Sequence, residues 1–336
     1  MQGLSKTGSD LPEALVLEIL SKLPIKSLTR FRCVCKPWSS SFQTPLFITK
    51  HLQNNLRNNN LNLLHKVDGP CNGILCLDDG RDKAALWNPS TREFKILPQS
   101  SVQRPPLVDY TSFDCLGFGY DSQTDDYKVV TFVVNYFEED SDAGSMFEQN
   151  NQVELYSLRS DSWKEISYPG VNPDGSPPFN CYINGVYYWQ AGHLILSFDM
   201  VNEKFSTLPL PLPQTLDGFY SHLLDFNGLL GAIFYPGEGI EKSFDLWVMN
   251  ESWTKQFSIE SVPGVEMLLG FWKNGEFFIE SSDHELVLFD PSTRELKNLG
   301  IHASKWTMQI TAYVESLVPI NGRSEHEGRI IRDASN

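Results

Sequence analysis

No stretch of this 336-residue chain stays apolar for the ~18 residues that a membrane crossing requires. The opening residues, MQGLSKTGSD, hold no apolar segment of the kind a secretory leader needs, so no signal peptide is predicted. The six cysteines are scattered. Neither Cys33/Cys35 nor Cys71/Cys76 has zinc-ribbon spacing, and no histidine cluster accompanies them. Reduced, mostly buried thiols in the cytoplasm or nucleus are the expectation, and the sequon Asn250-Glu251-Ser252 is then a chance match. Positive charge is also short. With 27 Lys and Arg against 42 Asp and Glu the chain carries −15, which a phosphate backbone would repel; this excludes generic nucleic-acid binding. Catalytic motifs are missing too. There is no GxSxG, HExxH or P-loop, and Gly117-Phe118-Gly119 stops short of GxGxxG. The paired carboxylates Asp78/Asp79 and Asp125/Asp126 lie in polar stretches that read as solvated turns, and His193 and His222 read as structural. No catalytic residue, metal or cofactor is predicted.

What the chain does have is a repeated phrase. LWNPSTREFKIL at residues 86–97 returns as LFDPSTRELKNL at 288–299. Each reads as a strand, a turn and a strand: an Asx side chain caps the turn, Pro presets φ, and alternating residues lead out. Weaker copies are SFDMVNEKFSTLP from Ser197, LYSLRSDSWKEI from Leu155 and LWVMNESWTKQF from Leu246. The aromatics before these turns are Trp87, Tyr156, Phe198, Trp247 and Phe289, most of them spaced by 42 to 49 residues. That is the pitch of a four-stranded propeller blade. The one long interval contains the polar, acidic insertion at residues 135–152.

Upstream of most copies an Asn-Gly pair joins two apolar strands: CNGILCL, INGVYYW, FNGLLGAIF and KNGEFFI. The sequence therefore predicts five four-stranded units, near 60–98, 113–167, 178–212, 220–260 and 265–301. A last strand within 307–318 is expected to complete a sheet begun near residues 61–67, closing the ring with both ends of the β region. The recurring Trp and Phe residues are expected to be core between sheets.

Residues 1–60 differ in grammar and in charge: they hold eight Lys and Arg against three Asp and Glu, in an otherwise acidic chain. Asp10 with Glu13 reads as a capping box, and Pro12 as part of a first helical turn. Leu15, Val16, Ile19, Leu20 and Leu23 share one helix face, which Leu23-Pro24 ends. A second helix is expected to carry Leu28, Phe31, Val34 and Cys35 and to break at Lys36-Pro37-Trp38. A third runs from Thr44-Pro45 to about Leu56. So small and so apolar a module must bury a face, either on a partner or on the β region.

The segment LPEALVLEILSKLPIKSLTRFRCVCKPWSSSF, residues 11–42, resembles an F-box, in its Leu-Pro-Glu opening, its Leu-x-x-Glu-Ile-Leu helix, Leu-Pro-x-Lys-Ser-Leu and Val-Cys-Lys-x-Trp. CNGILCL, LWNPSTREFKILP, LGFGYDSQTDDYKVV, INGVYYW and YVESLV resemble the kelch-like F-box-associated domain of plant F-box proteins, the broad group that includes the pollen S-locus F-box proteins. The resemblance implies a small all-α module at 10–57 and an all-β kelch-like propeller at 58–319; outside it, the ends at 1–9 and 320–336 are expected to be disordered, the tail because it is polar and charged. It implies a substrate-recognition subunit of an SCF-type ubiquitin ligase, non-catalytic, that holds a target protein on its β domain. The Skp adaptor, and through it the cullin, would meet Leu11, Pro12, Leu15, Ile19, Leu20, Leu23, Pro24, Leu28, Val34, Cys35 and Trp38, although some of these, with Phe31, must form the module's own core. The target is unidentified; the acidic run Glu138, Glu139, Asp140 and Asp142 is a candidate for holding a basic patch on it. Rival functions are a scaffold without ubiquitination and a propeller enzyme whose site is assembled from distant residues.

Overall fold

The computed structural model describes residues 12–57, 61–65, 68–79, 81–136, 149–174, 181–211, 218–239, 241–272, 275–304, 308 and 310–321. It begins with four helices, α1 (Glu13–Leu20), α2 (Ile25–Phe31), α3 (Lys36–Ser41) and α4 (Pro45–Arg57). The extended φ/ψ of Pro12 and Pro24 places each as the residue just before its helix. Pro12 is thus the N-cap of α1, not part of its first turn, and no side chain caps it; Asp10 lies outside the described residues. Lys36-Pro37 does more than end α2: it opens α3, with Pro37 in a first turn that has no amide bonds to lose. Val34 and Cys35 accordingly fall in the link between α2 and α3. Thr44 caps α4 through its hydroxyl, which accepts from the Phe47 amide at 3.3 Å.

The β region folds into five four-stranded antiparallel sheets, each formed by consecutive strands. The first contains β2 (Asp68–Cys71), β3 (Ile74–Asp78), β4 (Ala84–Asn88) and β5 (Glu93–Ile96). The second contains β6 (Tyr110–Asp121), β7 (Asp126–Tyr136), β8 (Gln149–Ser157) and β9 (Ser162–Ile166). The third spans β10 (Cys181–Ile183) to β13 (Lys204–Pro209), the fourth β14 (Phe219–Phe226) to β17 (Ser252–Pro263), and the fifth β18 (Val265–Phe271) to β21 (Glu295–His302). A two-stranded sheet pairs β1 (Leu61–His65) with β22 (Ile310–Val314), so both ends of the β region close the ring. The first strand of each blade lies inside: β2 touches β22 and β6, β10 touches β6 and β14, and β18 touches β22. The result is a β-propeller of five full blades, and the closing pair is the one expected from the sequence.

The repeated phrase forms the outer hairpin of the blades. Oδ1 of Asn88, Asp199 and Asp290 accepts from the amide two residues on, at 3.0, 2.8 and 2.8 Å. The residue before each outgoing strand, Arg92, Glu203 or Arg294, is left-handed. At the inner hairpins both residues of Asn72-Gly73, Asn184-Gly185 and Asn227-Gly228 have positive φ, the geometry of a type I′ turn. Asn274 of the fifth unit lies outside the described residues. The predicted insertion is shorter than 135–152, because β7 runs on to Tyr136 and β8 starts at Gln149. A side-chain bond crosses this pair of strands: Asn135 donates to Gln152 at 3.0 Å.

Blades join through apolar faces and through one buried ionic rivet. Tyr156, Phe198 and Phe289 are buried between sheets as the repeat implies. Phe94 is 50% exposed. It shares a row with Leu75 and Trp87, which face Tyr313 of the closing pair, and a sheet of two strands does not reach as far as β5. Between the second and third blades the buried Lys128 donates to Asp121 at 2.8 Å and to the Met200 carbonyl at 2.7 Å, and pairs with Glu203 at 3.0 Å. Burial alone would raise the Asp121 carboxyl, but hydrogen bonds from Lys128, Thr124 and two backbone amides outweigh it and hold the group at about 2.

Candidate functional site: the helical module and its mounting

The module's own core is Leu20, Leu28, Phe42 and Phe47, with Leu23, Phe31 and Trp38 half-buried around it. The rings of Phe31 and Trp38 lie 5.9 Å apart. Leu20 and Leu28 are therefore sealed inside the folded chain and offer an adaptor no surface, which corrects their place among the contact residues. The reason is geometric: α1 and α2 are too short to carry a core row and a docking row on one face, so the row divides. Leu15, Ile19 and Val34 stay exposed, at 50%, 53% and 61%, with Pro12 and Pro24 exposed beside them. Cys35 is half-buried, and Leu11 lies outside the described residues. Leu46, exposed on α4, adds an apolar group that the motif did not mark.

A second set of contacts, which the sequence did not reveal, fixes the module to the propeller. Residues 315–321 run as a strap between the two. The Glu315 carboxylate accepts from the Ile25 amide at 3.2 Å, and its carbonyl accepts from Asn55 at 3.1 Å. Leu317 packs into the helical core, while Ile48 and Leu52 of α4 join the apolar cluster of the first two blades. On the blade side, buried Asn88 donates to the carbonyls of Ser316 and Val318 at 3.0 and 2.8 Å. Ser90 bonds the Tyr313 hydroxyl, and Glu93 accepts from the Ile320 amide at 2.7 Å. Ile320 is buried, so the held chain runs one residue past the predicted end at 319. The strap's nearest sequence signal was Asn88 itself, a neutral side chain where the second copy of the phrase has Asp290.

Asp79 caps its own turn, accepting from the amides of Arg81 and Lys83. Asp126, however, is buried, accepting from the Ser157 hydroxyl at 2.6 Å and the Arg159 amide at 2.8 Å; it ties two hairpins together and is not a solvated turn. His222 is buried against the Tyr235 hydroxyl, 2.7 Å from Nε2, and burial pushes its imidazole down to about 3. His193 is exposed in the turn between two strands. Glu138, Glu139, Asp140 and Asp142 lie outside the described residues. Among the described residues no group of three or more His, Cys, Asp and Glu is placed to hold a metal ion, and no helix is long and apolar enough to cross a membrane.

Residues 9–50 match the F-box domain family, and residues 39–320 match the family described as F-box associated beta propeller domain. The chain belongs to the F-box proteins that carry this associated propeller. An F-box/kelch-repeat protein of Arabidopsis thaliana is 29% identical over 309 residues, covering 74% of this chain and 79% of its own. The Arabidopsis thaliana F-box protein CPR1 is 26% identical over 394 residues, covering 96% of this chain and 94% of its own. Among solved structures, an oligogalacturonate lyase in complex with manganese resembles the F-box protein with a TM-score of 0.42 and 10% identity, over 70% of this chain and 64% of that one. A likeness that weak carries no functional argument.

Proposed function

We propose that this F-box protein is the substrate-recognition subunit of an SCF-type ubiquitin ligase in the cytoplasm or nucleus. The observation that carries the proposal is the exposure of the apolar residues Pro12, Leu15, Ile19 and Val34, on a module that has already buried a separate core of its own. Exposed apolar groups that are not needed for internal packing are the material of a protein interface. The Skp adaptor would cover these groups. The propeller would hold the target, and the chain itself would catalyse nothing. Its contribution would be the effective concentration and orientation of a target lysine beside the charged conjugating enzyme.

Topology favours one face of the propeller for the target. In a four-stranded meander the first and third turns of a blade lie on one face, and the second loop and the link between blades lie on the other. The F-box abuts the third turn of the first blade, Asn88 to Arg92. Tyr136 and Gln149, which begin and end the β7–β8 connection, sit at the opposite face, where exposed Tyr110 stacks on Tyr136 at 4.4 Å. A target held there stands clear of the adaptor.

The test is a pull-down of the full chain with a plant Skp adaptor, against a Leu15→Asp/Ile19→Asp variant. Both side chains are exposed, so the variant is expected to keep its fold and its circular dichroism. Capture of the wild type alone supports the proposal. Equal capture of both, or of neither, overturns it. A partner whose abundance rises when the variant replaces the wild type would then separate a ligase subunit from a scaffold without ubiquitination.

A further inference from the structure

Between α2 and the outer turn of the first blade lies a cavity of about 950 Å³, walled by both modules. Lys26, Arg30 and Arg32 reach it from the helical side and Arg92 from the blade. None of the four cationic groups has a carboxylate oxygen within 4.0 Å among the described residues. The two carboxylates on the walls, Glu93 and Glu315, are spent on the amides of Ile320 and Ile25. Four positive groups thus face two negative ones in a chain whose net charge is −15.

The repeated phrase supplies an internal control. Arg294 sits where Arg92 does, with the same left-handed backbone, and donates to the carbonyls of Glu260 and Ser261. Arg92 donates to no acceptor among the described residues. Beside it Thr91 also lines the cavity. Several unpaired guanidinium groups around one cavity are a donor set waiting for oxygen acceptors.

We propose that this cavity binds a small polyanion of the phosphate-ester or polyphosphate class, and that the ligand bridges Arg30 and Arg32 of the F-box to Arg92 of the propeller. Planar guanidinium groups pair with phosphate oxygens two at a time, which chloride cannot match, and a polyphosphate has oxygens and charge enough for several such groups at once, which a single carboxylate has not. The volume suits a ligand of tens of atoms. A bound polyanion would cross-link the two modules next to the strap and stiffen the angle between them. The inference stands on the cavity and its cations and does not depend on the ligase proposal.

The experiment is calorimetric titration of tripolyphosphate into the full chain, with sulfate at matched ionic strength as the reference. The expected result is saturable binding of one tripolyphosphate per chain, with a raised thermal midpoint. An Arg30→Gln/Arg92→Gln variant, both positions being exposed, should weaken binding at least about tenfold. Lys255→Gln, in the fourth blade, should leave it unchanged. Absence of saturable binding, or equal affinity in all three proteins, overturns the proposal.

Discussion

Asn88 and Asp290 hold the same place in the repeated phrase and cap the same turn, yet their surroundings demand different chemistry. Asp290 is in the open, where a carboxylate serves the Ser292 and Thr293 amides well and the group is held below its usual range by the Ser292 hydroxyl and amide. Asn88 is fully buried and also meets two carbonyl oxygens, which only an NH2 group can satisfy. Asn88→Asp would set a buried carboxylate against those carbonyls. It is expected to cost about 3 kcal/mol or more in urea unfolding, against less than about 1 kcal/mol for Asp290→Asn. His222 gives a second expectation, in pH. Its folded value of about 3 lies below the ordinary imidazole range, so the unfolded chain takes up a proton first as pH falls. Stability is full above roughly pH 6.5 and declines toward pH 3, by up to about 1.4 kcal/mol per pH unit for such a group. Urea midpoints measured at pH 7 and 5 should separate, and His222→Gln should narrow the gap. It should not close it, because His51 is also buried and shifted in the same direction.

At the scale of the element, hairpins with one sequence are not equivalent. Gly73 and Gly185 both follow Asn with positive φ, but a Cβ on Gly73 would stand 2.3 Å from Ser316 Cβ and 2.5 Å from the Val314 carbonyl, whereas Gly185 faces open space. Gly185→Ala is expected to cost only the left-handed penalty of about 1–2 kcal/mol, and Gly73→Ala about 3 kcal/mol or more, since the closing strand must move as well. Denaturant melts of the two variants test the difference. This is also where the sequence was legible and where it was not. Turn chemistry is local, so Asn-Gly and the Asx-Pro-Ser-Thr phrase marked hairpins that the structure contains. The far ends of β7 and β8 are hidden in the sequence because Asn135 and Gln152 have the character of loop residues until they meet. Leu20 and Leu28 match the docking motif as well as Leu15 and Ile19 do, since spacing alone cannot say which of two apolar rows a neighbour will cover. The strap is not legible in the sequence because its contacts join residues more than 200 positions apart, as in Asn88 to Ser316.

At the scale of the molecule, the strap makes the F-box and the propeller one cooperative body. Leu317 completes the helical core, Glu315 holds α2, and Asn88 holds the strap to the first blade. A chain ended after Val314 is expected to lose about 3–5 kcal/mol relative to one ended after Asn321, because buried partners on both modules are orphaned together. The fluorescence and circular-dichroism transitions of the longer chain should coincide; separate transitions for helices and strands would show that the two parts fold independently.

Leu317 and the closing strand also set an order in time. The F-box helices are made before the propeller, but Leu317, the side chain that completes their core, is made only after all five blades. At roughly 5–20 residues per second the helices wait tens of seconds for it. The same late residues close the ring. A chain that stalls or is cut before them has neither a finished helical core nor a sealed propeller. Readiness to engage a partner therefore arrives at a single moment, when residues 310–321 emerge, and copies that lack them are kept from acting as if they were whole.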